Sequence, residues 1–283
     1  MIEQYLDELS HELETVGIRG RLRRRILAES EDHLRTDAET VGRFGSPAEL
    51  ANTFAAELGT RVSRRAAVGA FLALGVAGAV YGASFVGASF AGQPAPDTWP
   101  VLAQLAFAVG IVAPQVSFVA GSLAIVRVLR RRESVLPSAE LSVINRRTGV
   151  ALLFGLVTMA ALALFAFELR HDTAGWWVTL TLIGSAAATP LLVLAGLPAA
   201  RAARLRPEIA GQPGDVFDDL GLTGQRDDPW RFARRVAIGL GLVVFLVAAV
   251  QGDPFDGALN GTAEALACLG GFAVFGRFLG LRH

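Results

Sequence analysis

Between Arg65 and Asp97 the chain carries no arginine, lysine, aspartate or glutamate. A stretch that long and that apolar exceeds a soluble core helix and suffices to cross the ~30 Å hydrocarbon core of a bilayer. Similar runs recur, and six spans are expected at about 66–92, 101–126, 149–167, 176–198, 236–252 and 258–276. The formal net charge of zero hides a segregation, because residues 1–65 hold ten of the 26 arginines and twelve of the 26 acids. The mean hydropathy of +0.45 is therefore an average over a polar head and an apolar body. Every base is arginine, and Cys268 is the single cysteine, so an intrachain disulfide and a cysteine metal cluster are both excluded. The N-terminus is amphipathic and acidic, unlike a secretory signal with its basic start and short apolar core.

The arginines orient the spans. Segment 127–148 carries six and segment 199–235 carries seven, whereas 93–100, 168–175 and 253–257 carry only Arg170. The positive-inside rule places the head, both arginine-rich loops and the C-terminus in the cytosol, as a multi-pass protein of the cell (inner) membrane. Trp99, Trp176, Trp177 and Trp230 fall at span ends, where an aromatic belt is expected. The GxxxG pattern "GAVYG" at 78–82 predicts close helix approach, and Pro114 and Pro190 lie inside spans two and four, where proline can kink a helix.

The first 62 residues read as three short helices. Helix one, about 2–16, sets Ile2, Tyr5, Leu6, Leu9, Leu13 and Val16 on one stripe, and Gly17 and Gly20 end it. Helix two, about 20–41, places Leu22, Ile26, Leu27, Leu34, Ala38 and Val41 on its apolar side. Helix three opens with Ser46 as cap, Pro47 at the first position and Glu49 closing a capping box, and buries Leu50, Ala51, Phe54 and Leu58. The fold class is all-α: a cytosolic three-helix head (1–62) followed by a six-span transmembrane helical bundle (63–283). A short junction from helix three to span one would transmit a tilt or rotation that a long flexible linker would average away.

The stretches "YLDELSHELETVG", "RILAESEDHL" and "FGSPAELANTFAAEL" resemble the HAAS domain, the α-helical signalling domain associated with helix-turn-helix regulators, also called a permease prefix domain. The resemblance covers about residues 1–62. It implies a membrane signalling protein whose head meets a PadR-like transcription regulator. Within that pattern the candidate partner-binding residues are Glu29, Asp32 and His33, with the basic start of helix two, Arg24 and Arg25. Glu29 and His33, four residues apart, can pair on one helix face, either as a helix-stabilising pair or as a pH-sensitive contact. The arginine cluster also suits anionic lipid. Acids flank it and no recognition motif accompanies it, so direct nucleic-acid binding is not expected.

Two further constellations are candidates. In the loop 199–235, Asp215, Phe217, Asp218, Asp219 and Trp230 form an acidic and aromatic segment between basic edges. It could dock on helix two, meet a partner, or rest on lipid as an irregular loop. Its aspartate spacing fits no calcium loop. Within the spans, Glu264 stands four residues after Asn260, and Gln104 and Gln115 share a face. An intramembrane carboxylate is costly and marks a candidate functional site, although Glu264 also lies close enough to a span end to be interfacial.

Enzyme chemistry is not expected. "HELET" at 11–15 has Thr15 where a zinc protease needs its second histidine, and no Walker A loop, nucleophile elbow or dinucleotide fingerprint occurs. No cofactor and no metal are expected. The expected function is regulatory or sensory, with the lipid bilayer and a PadR-like regulator as partners and homo-oligomerisation left open. The alternatives are a permease or permease subunit with a path through Gln104, Gln115, Asn260 and Glu264, and a membrane scaffold.

Overall fold

The computed structural model describes residues 2–36, 45–131, 135–205, 207–208, 219 and 228–250, with short helical stretches between 257 and 273. Among the described residues the chain is all-helical, with no strand. It forms two compact units, Met1–Gln212 and Pro213–His283.

The first unit begins with helices α1 (Ile2–Thr15) and α2 (Gly20–Thr36), followed by α3 (Pro47–Ala88), α4 (Val101–Arg130), α5 (Ser138–Glu168) and α6 (Gly175–Ala202). A short 3-10 turn, Pro96–Thr98, precedes α4. Helices α3 to α6 are each long and apolar enough to cross a membrane. Each overlaps one of the first four expected spans.

Helix α3 departs most from expectation. Helix three of the head and span one are not joined by a junction; they are one unbroken helix of 42 residues. At ~1.5 Å per residue it is about 63 Å long, twice a bilayer core. Its start is the expected one: the Ser46 hydroxyl accepts from the Glu49 N–H, and the Glu49 carboxylate accepts from the Ser46 N–H. The charge boundary at Arg61–Arg65 suggested a domain border, but arginine, alanine and valine all continue a helix. The lone Gly59 costs only about 1 kcal/mol. Gly59 also has a use, since its missing side chain lets Leu141 of α5 pack against α3.

The head core is built from α1, α2 and the first turns of α3. Leu9, Leu13, Ile18 and Leu34 are fully or almost fully buried, each contributing on the order of 1.5–3 kcal/mol. Leu22 is the exception to the expected apolar side of helix two, being exposed. Ala38 and Val41 lie outside the described residues. The core also takes in Leu205, beyond α6, so the head does not close on residues 1–62 alone. Gly17 carries φ +90°, and a Cβ there would collide with the Arg204 carbonyl. The Glu208 N–H donates to the Asn52 side chain at 3.0 Å. The head therefore rests on the chain leaving α6.

In the bundle, α4 packs along α5 and α3 along α6, with α5 touching both α3 and α6; α3 and α4 meet far less. Small residues do mediate close approach, but not at the GxxxG pattern. A Cβ on Gly78 or Gly82 would meet no heavy atom within 4 Å. The close contacts are at Gly121 and Gly155, which receive Leu74, and at Gly184, which receives Val80. A local pattern marks where a helix can be approached, and the tertiary arrangement decides whether it is. Pro114 and Pro190 lie inside unbroken helices.

The tryptophans divide. Trp176 and Trp230 are exposed, but Trp99 and Trp177 are buried in an aromatic core with Phe165. Burial is tolerated because each indole N–H finds a carbonyl: Trp99 donates to Pro94 at 2.9 Å and Trp177 to Ser84 at 2.8 Å.

In the second unit, α7 (Pro229–Val250) is followed by helical residues up to Ala273 minus the undescribed positions between them. Gly241 and Gly261 meet backbone to backbone, since a Cβ on either would fall within 2.6 Å of the other's carbonyl oxygen. Trp230 meets Phe272 edge-on at 5.5 Å.

Candidate functional site

A buried polar node ties α3, α4 and α5 together just beyond the head. Arg127, in the last turn of α4, is fully buried, and its Nε donates to Glu140 Oε2 at 2.6 Å. Glu140 stands in the first turn of α5, and its other oxygen lies 3.5 Å from Arg131. Both helix ends favour this arrangement, a cation at the C-terminus of α4 and an anion at the N-terminus of α5. Arg147 is also fully buried and donates to the Leu123 carbonyl at 3.4 Å.

The node reaches α3 through two contacts. Arg64 Nη2 donates to the Arg131 carbonyl. The Leu136 N–H donates to Thr60 Oγ1 at 2.9 Å. Beneath them Ala67, Ala124, Val128, Leu136, Leu141 and Ile144 form a continuous apolar cluster. The α4–α5 turn is thus stapled to α3 where that helix leaves the head. Sequence reasoning counted Arg127 and Arg147 as loop charges and passed over Glu140 and Thr60. The available signal was Glu140 itself, an acid at the third residue after Pro137, where a helix first turn accepts one.

The sequence-derived head residues Arg24, Arg25, Glu29, Asp32 and His33 are all exposed on α2. Glu29 does not pair with His33 there; its carboxylate accepts from Arg25 Nε at 2.7 Å. That pair holds the Arg25 guanidinium above its usual range, chiefly through the hydrogen bond. At this exposure it adds little stability. Arg23 faces the other way and bonds Glu14 of α1 at 2.8 Å. The exposed strip of α2 is therefore mixed in sign.

Asp215, Phe217 and Asp218 lie outside the described residues. Asp219 is buried and Trp230 is exposed. Of the loop 199–235, Arg204 and Leu205 meet the head beside Gly17 and Glu208 bonds Asn52, whereas the segment expected to dock on helix two lies largely outside the described residues. Asn260 and Glu264 also lie outside the described residues. Gln104 and Gln115 are exposed, and Gln104 donates back to the Trp99 carbonyl at 3.0 Å, anchoring the start of α4. Among the described residues no three His, Cys, Asp or Glu side chains are placed to hold a metal.

No family model matches this chain, and no curated protein or solved structure is similar to it.

Proposed function

We propose that this chain is a regulatory protein of the cell membrane, with a cytosolic three-helix head, six spans and both termini in the cytosol. The head resembles a HAAS domain and would present the exposed strip of α2 to a PadR-like regulator. The observation that supports this reading is the unbroken α3 helix, stapled by Thr60 and Arg64 to the α4–α5 turn. A displacement of the spans then moves the head as a lever. For a signal to pass, the stimulus must favour one position of the spans over another.

The orientation rests on the arginines, and the contacts agree with it: the α4–α5 turn and the end of α6 both meet the head or the helix that carries it. A permease would need a polar path. Two of its four candidate residues, Gln104 and Gln115, are exposed, which favours the regulatory reading.

The test is co-purification of the detergent-solubilised full chain with each PadR-like regulator of its source organism, beside an Arg24→Ala/Arg25→Ala/His33→Ala variant. The reading predicts one regulator held by the parent chain and lost from the variant. Insertion of Gly-Gly after Val62 should keep that binding yet abolish any regulatory output. Unchanged output would favour a scaffold, and no regulator bound by the folded parent chain would refute the reading.

A further inference from the structure

Because α3 and α4 splay apart over α5, a groove runs between them. Its lower part, about 380 Å³, is lined by Phe71, Gly78, Pro114 and Gly155, and its upper part, about 490 Å³, by Phe85, Trp99, Phe107 and Gln93. Tyr81 borders both. From Phe71 to Ser89 along α3 the groove extends for about 27 Å, close to the depth of a bilayer core. We propose that this groove holds one acyl chain of a glycerolipid, with the ester carbonyl at its upper end accepting a hydrogen bond from Gln93.

Four observations select that occupant. Among the described residues no charged side chain lines either part, so a charged ligand would find no counter-charge there, whereas a hydrocarbon chain loses nothing. The walls are kept open by glycine, since a Cβ on Gly75, Gly78 or Gly110 would meet no heavy atom within 4 Å. Two of the other polar side chains on the wall are already used: Ser117 donates to the Ala151 carbonyl at 2.7 Å and Thr158 to the Phe154 carbonyl at 2.7 Å. Gln93 differs. Its Nε2 is buried and has no acceptor among the described residues, an arrangement that is unfavourable unless a ligand supplies one. It stands just past the end of α3, six residues before Trp99. A glycerolipid ester offers a neutral carbonyl at that depth with a chain directly below it. The inference is independent of the regulatory reading, since it concerns occupancy and not signalling.

The test uses the full chain, extracted from membranes in mild detergent and analysed by native mass spectrometry with lipid extraction. The parent chain should retain about one glycerolipid. Gly75→Leu/Gly78→Leu fills the lower groove from exposed helix positions and raises helix propensity, so it should fold normally. It should retain lipid about tenfold less well. Gln93→Leu keeps the groove and loses the donor, and should weaken retention severalfold. Gly82→Leu, on the same helix but outside the groove wall, should behave as the parent. Equal retention by the parent and the groove-filled variant would overturn the proposal. So would absence of lipid from the parent, equal loss in Gly82→Leu, or a second copy of the chain displaced in place of lipid.

Discussion

Arg127 Nε and Glu140 Oε2 lie 2.6 Å apart at a site where the two side chains are 0% and 4% exposed. A pair so placed is weak as a source of net stability, because both charges were taken out of water. It is strong as a constraint, because removing one partner strands the other. Here the constraint fixes where α4 ends and α5 begins, and through Thr60 and Arg64 it fixes both against α3.

The first prediction follows from that asymmetry. Arg127→Met or Glu140→Gln alone should destabilise the chain by about 3–5 kcal/mol. The double variant Arg127→Met/Glu140→Gln should cost clearly less than the sum. Thermal loss of helicity in detergent, compared across the three variants, measures the coupling. Additive losses would contradict the pairing.

Gly17 and Gly20 both have positive φ, +90° and +66°, but only Gly17 faces another part of the chain. Gly20→Ala should therefore cost only the left-handed strain, about 1–2 kcal/mol. Gly17→Ala adds the collision with the Arg204 carbonyl and should loosen the head from the chain beyond α6. Limited proteolysis should show cutting near residues 204–208 accelerated in Gly17→Ala and little changed in Gly20→Ala.

Leu74 enters the space left by Gly155, where a Cβ would stand 2.7 Å from its methyl group. Gly155→Ala should cost about 1–3 kcal/mol through overpacking, and Leu74→Ala should relieve part of that cost in the double variant. Gly78→Ala should be neutral or slightly stabilising, because its site is open and its backbone helical. A large loss at Gly78 would restore the GxxxG pattern as the packing seam.

Tyr5 gives the head an alkaline limit. Burial, with Glu8 nearby, pushes its phenol above the usual value of 10.0, and its hydroxyl donates to the Gly45 carbonyl at 3.2 Å. The folded head disfavours the phenolate, so the stability tied to Tyr5 is complete below pH 10 and is lost as pH rises through the higher folded value. Tyr5→Phe should flatten the fall in stability above that pH. A pH series of thermal midpoints for the two chains checks it.

Much of the fold was legible in the sequence, for reasons that particular residues make plain. Uninterrupted apolar length placed the four membrane-length helices, and Ser46 with Pro47 and Glu49 placed the start of α3, since a capping box is a local signal. Its continuation was not legible. Arg61, Arg64 and Arg65 look like a border, yet charge alone does not end a helix, and no proline or paired glycine stands there. The node escaped for a related reason. Hydropathy reads Arg127, Glu140 and Arg147 as solvated, and only the bonds between α4 and α5, Arg127 to Glu140 and Arg147 to the Leu123 carbonyl, allow them to be buried. Trp99 and Trp177 were assigned to an interface because their sequence positions fit one, whereas the carbonyls that accept from them come from Pro94 and Ser84, and the second is remote in sequence.

An unbroken, stapled α3 holds the head rigidly to the helices that follow it. Spin labels at the exposed positions Asp32 on α2 and Ser142 on α5, in a Cys268→Ser background, test it directly by electron–electron distance measurement in lipid. A rigid α3 gives a single narrow distance distribution that broadens when Gly-Gly is inserted after Val62. A broad distribution in the parent chain, unchanged by the insertion, would contradict it.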